Sequence, residues 1–176
     1  MRSRSLALAA AAVACVAIAS CGASGPGLRP PTGGSTSTKM LLVLAAPSVN
    51  DPYYRPAFQE IVDFQIEYAK AIEGKDDVVL LVDKATMPYY ENRLPPQVLL
   101  QAEIADIWMR DFTTVDPIDP VEFVYTAAST QNRQESAAIQ DSFNVFADRL
   151  EVSRKRTTLV LDGGNIVDSH AGRVVT

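Results

Sequence analysis

The sequence predicts an α/β fold. Short, unbroken apolar runs alternate with segments whose apolar residues recur at helical spacing, and several of the runs end in loops rich in Asp, Asn, Gly or Pro. The composition, 47% hydrophobic and 21% charged, is that of an ordinary globular chain with enough apolar side chains for one core.

Residues 1–20 read as a lipoprotein signal peptide. Arg2 and Arg4 form a positive start, and the Ala-rich run 6–18 has 13 residues, the length of a secretory apolar region and too short to span a bilayer as a helix. Ile18, Ala19, Ser20 and Cys21 resemble the bacterial lipobox, so Cys21 is the expected lipidation site and the chain is expected at the bacterial cell envelope, anchored to membrane through that residue. An ordinary signal peptide cut near Ala19 or Ala23, with Cys21 incidental, is the other reading. Residues 21–38, rich in Gly, Pro, Ser and Thr, cannot bury enough apolar surface to fold and read as a flexible tether.

The folded domain is expected over 39–176. Residues 40–46 form a continuous apolar run ending at Pro47, a buried strand. From Pro56, a favourable first helical position, Phe58, Ile61, Val62, Gln65, Tyr68, Ala69 and Ile72 mark one helix face, with Gly74 as the stop. Phe64 and Ile66 lie off that stripe, which predicts a fairly deeply buried helix rather than a surface one. A strand follows at 78–82, a short helix at 95–102, and a strand at 104–109 that carries Trp108 and leads to Arg110 and Asp111. Strands at 121–126 and 157–161 flank a helix at 135–150 that places Ile139, Phe143, Phe146, Ala147 and Leu150 on one side. Val174, Val175 and Thr176 begin a further strand. That predicts either the N-terminal part of a longer protein or a short form closing on an edge strand.

The formal charge of −5, or −7 without Arg2 and Arg4, and the lack of a basic stripe interleaved with aromatics argue against a nucleic-acid partner. One histidine and two cysteines, Cys15 and Cys21, make no nitrogen/sulfur metal constellation, and no cofactor is expected.

The chemistry is concentrated in two motifs. Trp108, Met109, Arg110 and Asp111 join an aromatic, a cation and a carboxylate, and Leu161, Asp162, Gly163, Gly164 and Asn165 follow a later apolar run. Two ionised carboxylates can grip a planar guanidinium in a fork while an aromatic face covers its flat side. Asp111 could equally cap a turn or pair with Arg110, and Trp108 could fill core. Arg110 could orient Asp111 or take a substrate carboxylate. Gly163 and Gly164 could serve a turn needing positive φ, with Asn165 satisfying the same loop. The pairs Tyr53, Tyr54 and Tyr89, Tyr90 could rim a cation pocket or pack on the core.

Over residues 39–176 these motifs resemble those of the agmatine deiminase and bacterial-type peptidylarginine deiminase family, in the pentein superfamily of guanidine-modifying enzymes. Trp108 to Asp111 is similar to the family's Trp-x-Arg-Asp, and 161–165 to its acidic-Gly-Gly segment. The resemblance implies a partial pentein-type propeller of ββαβ units. In it Asp111 would hold the guanidinium and Asp162 would lie beside the same site, with Trp108, Arg110 and Asn165 as further substrate-binding residues. It also implies an iminohydrolase acting on agmatine or peptidyl arginine, in which a cysteine attacks the guanidine carbon and a histidine moves protons, giving a ureido product and ammonia. The segments carrying that Cys and His would fall beyond Thr176, so no catalytic residue is expected in this chain and it is expected to be inactive alone. His170 does not match the family's His motif. Two departures stand out: Phe112, Thr113 and Thr114 replace the frequent x-Gly-Pro, and Asp162 stands where several relatives have Glu. A non-catalytic guanidinium- or amine-binding lipoprotein, or a degenerate relative, is the alternative.

Overall fold

A computed structural model describes residues 41–114, 120–127, 132–169 and 172–175, with 167–169 and 172–175 as backbone only. The residues expected to form a signal peptide and tether, Cys21 among them, and His170 lie outside them. Strand β1 (Leu41–Ala45) pairs in parallel with β2 (Asp77–Val82), Leu41 opposite Asp77, and β2 pairs in parallel with the short β3 (Leu99–Gln101). Both faces of this sheet are covered, which is why β1 and β2 read as unbroken apolar runs. Leu44, Leu80 and Val82 turn toward helix α1 (Phe58–Ile72), while Val43, Ala45, Val79 and Leu81 join a second core with Phe123, Tyr125, Phe143 and Phe146.

Helix α1 follows a 3-10 turn that contains Pro56, buries Val62, Gln65, Ile66 and Ala69, and leaves through Gly74 at φ +80°. The expectation of a deeply buried helix, and not a surface one, is corrected. Ile66 is buried but Phe64 is 47% exposed and stacks on Tyr68, because the helix lies on one face of the sheet with its far side to solvent. Gln65, within the stripe, donates to the Ala45 carbonyl at 2.9 Å and accepts from the Tyr90 hydroxyl at 2.7 Å, so its burial leaves no polar atom stranded.

Two other expectations are also corrected. Residues 95–102 form only one 3-10 turn (Pro96–Val98) before β3, since Pro95 is extended and the open edge of β2 offers Leu99 and Leu100 a ladder and a core. Residues 104–109 are not a strand: Trp108 caps the one-turn helix α2 (Met109–Phe112), whose Met109 and Phe112 are both buried. Asp106 takes the Trp108 N–H at 3.1 Å, a local bond that replaces a strand ladder.

A second β-α-β unit follows. Strand β4 (Val121–Tyr125) leads to helix α3 (Arg133–Arg149), started by the Asn132 side chain accepting from the Glu135 N–H at 2.8 Å, and then to β5 (Lys155–Leu161), parallel to β4. Gln140 of α3 accepts from the Tyr125 N–H and donates to the carbonyls of Phe123 and Phe112, at 3.1, 2.7 and 3.3 Å. Arg154, its side chain almost wholly buried, bonds Glu122 at 3.1 Å and Asp148 at 2.6 Å and so ties β4 to the end of α3. A 3-10 turn at 163–165 leads into the antiparallel pair β6 (Ile166–Ser169) and β7 (Gly172–Val175). No helix among the described residues is long and apolar enough to cross a membrane.

Candidate functional site

Helix α2 and the turn after β5 come together although about fifty residues separate them. Asp162 caps its own turn, its Oδ1 accepting the Gly164 N–H at 2.9 Å, while the Asn165 N–H reaches the Asp162 carbonyl at 3.0 Å. Across from it, the Asp111 N–H bonds the Trp108 carbonyl at 2.9 Å, which fixes Asp111 on the first turn of α2.

The glycines explain how closely the two segments fit. A Cβ built on Gly163 would lie 2.2 Å from the Arg110 carbonyl oxygen and 2.9 Å from the Phe123 ring. One built on Gly164 would lie 2.6 Å from Asp111 Oδ1 and 3.1 Å from Asp162 Oδ1. Positive φ is therefore not the reason for this pair, since neither glycine has it; lack of space is. Gly164 sits between the two carboxylates, and only its missing side chain lets them face one another.

The electrostatics agree with that geometry. Asp111 is raised from 3.8 to about 6, first by burial, then by the charges of Asp162 and Asp106 and by a hydrogen bond shared with Asp162, with Arg110 opposing. Tyr125, beneath the site, is held well above its ordinary range by burial and by the same three carboxylates. Burial and the bond to Asp106 do the same to Tyr54.

The structure thus brings Asp111 and Asp162 together, with half-buried Trp108 at the head of α2 and exposed Asn165 at the end of the glycine turn. Arg110 Nη2 donates to the Ile166 carbonyl, pinning the start of β6, while its charge also acts on Asp111. The tyrosine pairs split: Tyr54 and Tyr90 are buried, while Tyr53 and Tyr89 are exposed. Sequence reasoning passed over Asp106 and Tyr125 as parts of this site, and raised Tyr54 only as one of the tyrosines that could rim a pocket. Asp106 two residues before Trp108 was a usable signal, since Asp often caps the backbone two residues on. Among the described residues no three acidic, His or Cys groups are arranged to hold a metal ion.

Facing carboxylates at the loop ends of an α/β core define a class of site suited to an organic cation rather than an anion. The chain itself belongs to the Porphyromonas-type peptidyl-arginine deiminase family, whose model matches residues 35–176. Among solved structures it is similar to a C. jejuni agmatine deiminase, at TM-score 0.59 and 19% identity over 74% of this chain and 40% of that one. It is also similar to a cysteine-to-serine variant of that deiminase with substrate bound, at TM-score 0.57 and 20% identity over the same shares. These likenesses extend the α/β fold to known structures, and the chain spans about two fifths of their length. No curated protein matches the sequence.

Proposed function

We propose that this chain is the guanidinium-binding part of an envelope-tethered deiminase, with Asp111 and Asp162 gripping the planar head group of agmatine or of an arginine side chain. The observation that carries the reading is the pair of carboxylates on either side of Gly164, one of them raised to a pKa of about 6 by burial and then by its neighbour. Such a pair is electrostatically unfavourable when empty and is relieved by a cation that donates several N–H groups. Trp108 would cover the flat side of that cation, while Arg110 and Asn165 would hold the turn that presents it. Family membership supports deimination through a covalent cysteine adduct to a ureido product and ammonia.

The two successive β-α-β units, each with a helix glutamine bonded to the strand before it, support a propeller of repeated units. Lipidation at Cys21 would tether the domain to the envelope. The second reading, binding without catalysis, rests on the same carboxylate pair, which can hold a cation without taking part in any bond-breaking step.

Calorimetric titration with agmatine and with an arginyl peptide tests the site. Binding lost in Asp111→Ala is the expected result, and equal affinity in wild type and variant would overturn it. Ammonia release by the 176-residue polypeptide, abolished by the same substitution, would contradict the expectation that it is inactive alone.

A further inference from the structure

We infer that Tyr54 and Asp106 form a positioning strut that sets the 108–111 turn, so that the loop ahead of α1 governs where Asp111 points. The Tyr54 hydroxyl donates to Asp106 Oδ1 at 2.6 Å, and the same oxygen accepts the Trp108 N–H at 3.1 Å. The Trp108 carbonyl in turn accepts from Asp111. Three hydrogen bonds therefore link the loop after β1 to the backbone of Asp111, from which the site carboxylate projects.

The loop is a firm base for such a strut. Asp51 Oδ1 accepts the Tyr53 N–H at 2.8 Å, the Asp51 N–H bonds the Ser48 carbonyl at 3.0 Å, and the Asp51 carbonyl accepts from Arg55 at 3.2 Å. Tyr54 is only 7% exposed and contacts the Tyr53 ring edge-on at 5.0 Å. Burial and the neighbouring carboxylate keep its hydroxyl protonated, and hence a donor, across the working pH range. One carboxylate oxygen that accepts from both a distant side chain and the cap of a one-turn helix is a junction. Helix α2 is too short to hold its own orientation by internal bonds.

The inference rests on the guanidinium-site reading for its functional meaning, but its geometry is testable without ligand. Trp108 is the sole tryptophan, so its fluorescence reports the turn directly. Tyr54→Phe and Asp106→Ala are expected to shift Trp108 emission and raise its quenching by acrylamide. Asp106→Asn, which keeps the accepting oxygen, is expected to restore the wild-type signal, and Tyr89→Phe, on the α1 side of the sheet, to leave it unmoved. Agmatine binding should weaken by about tenfold in Tyr54→Phe and Asp106→Ala, the scale of a small misplacement of a binding group. Unchanged Trp108 fluorescence in Tyr54→Phe, no recovery in Asp106→Asn, or global unfolding of Tyr54→Phe by far-UV circular dichroism would each overturn the strut. Wild-type protein that fails to bind agmatine, yet shows the Trp108 shifts, would refute the guanidinium reading and leave the strut standing.

Discussion

Asp111→Asn should stabilise the ligand-free protein at neutral pH, and the gain should vanish in acid. Asp111 titrates near 6 in the folded chain against 3.8 as a free side chain, so between those values the native state keeps a proton that the unfolded state releases. Wild-type stability therefore falls as pH rises through that window, and the loss is complete above pH 6. Taken in full, the displacement would be worth about 3 kcal/mol, but Asp111 is only partly buried and solvent screening reduces this to about 1–1.5 kcal/mol. Asparagine removes the charge at nearly the same shape, and its amide can donate to Asp162. Urea unfolding followed by Trp108 fluorescence at pH 4, 5, 6 and 7.5 measures the difference. The variant should gain about 1–1.5 kcal/mol at pH 7.5, a rise of roughly 3–6 °C in melting temperature, and little at pH 4. A variant less stable than wild type at pH 7.5, or a difference that does not change with pH, would refute the reasoning, because either result means that burial and the neighbouring carboxylates do not penalise the Asp111 charge.

The two glycines should separate by mechanism. Gly163→Ala drives a methyl into the Arg110 carbonyl and should cost more than about 2 kcal/mol in urea unfolding, whereas Gly164→Ala should mainly splay the carboxylates and weaken agmatine binding in calorimetry at near-constant stability. Equal stability losses in the two would contradict the geometry. Gln140→Leu should destabilise by about 2–4 kcal/mol, measured the same way, because it strands the Tyr125 N–H and the Phe123 carbonyl in the core.

The elements legible in the sequence are those whose burial leaves a pattern along the chain. Strands β1 and β2 are enclosed on both faces and read as solid apolar runs, and α1 and α3 carry helical stripes. Residues 95–102 and 104–109 were misread because both are short: the open edge of β2 decides the first, and a local bond to the Asp106 carboxylate together with burial of Met109 and Phe112 decides the second. The meeting of Asp111 with Asp162 was legible through motif resemblance. The bond from Tyr54 to Asp106 spans 52 residues and leaves no periodic trace, so nothing local announced it. Gly163 and Gly164 were recognised as necessary for the wrong reason, since crowding by another segment looks the same in sequence as a demand for unusual torsion.

The buried glutamines on α1 and α3 carry one more implication. A carboxamide offers an acceptor and a donor at a fixed reach, so each helix is locked against sliding along its strand like a key in a slot. Glutamate at either place would aim a second oxygen at a carbonyl and release the catch. Shape changes on ligand capture should then be confined to the turns beyond the strand tips, while the layers beneath hold their depth.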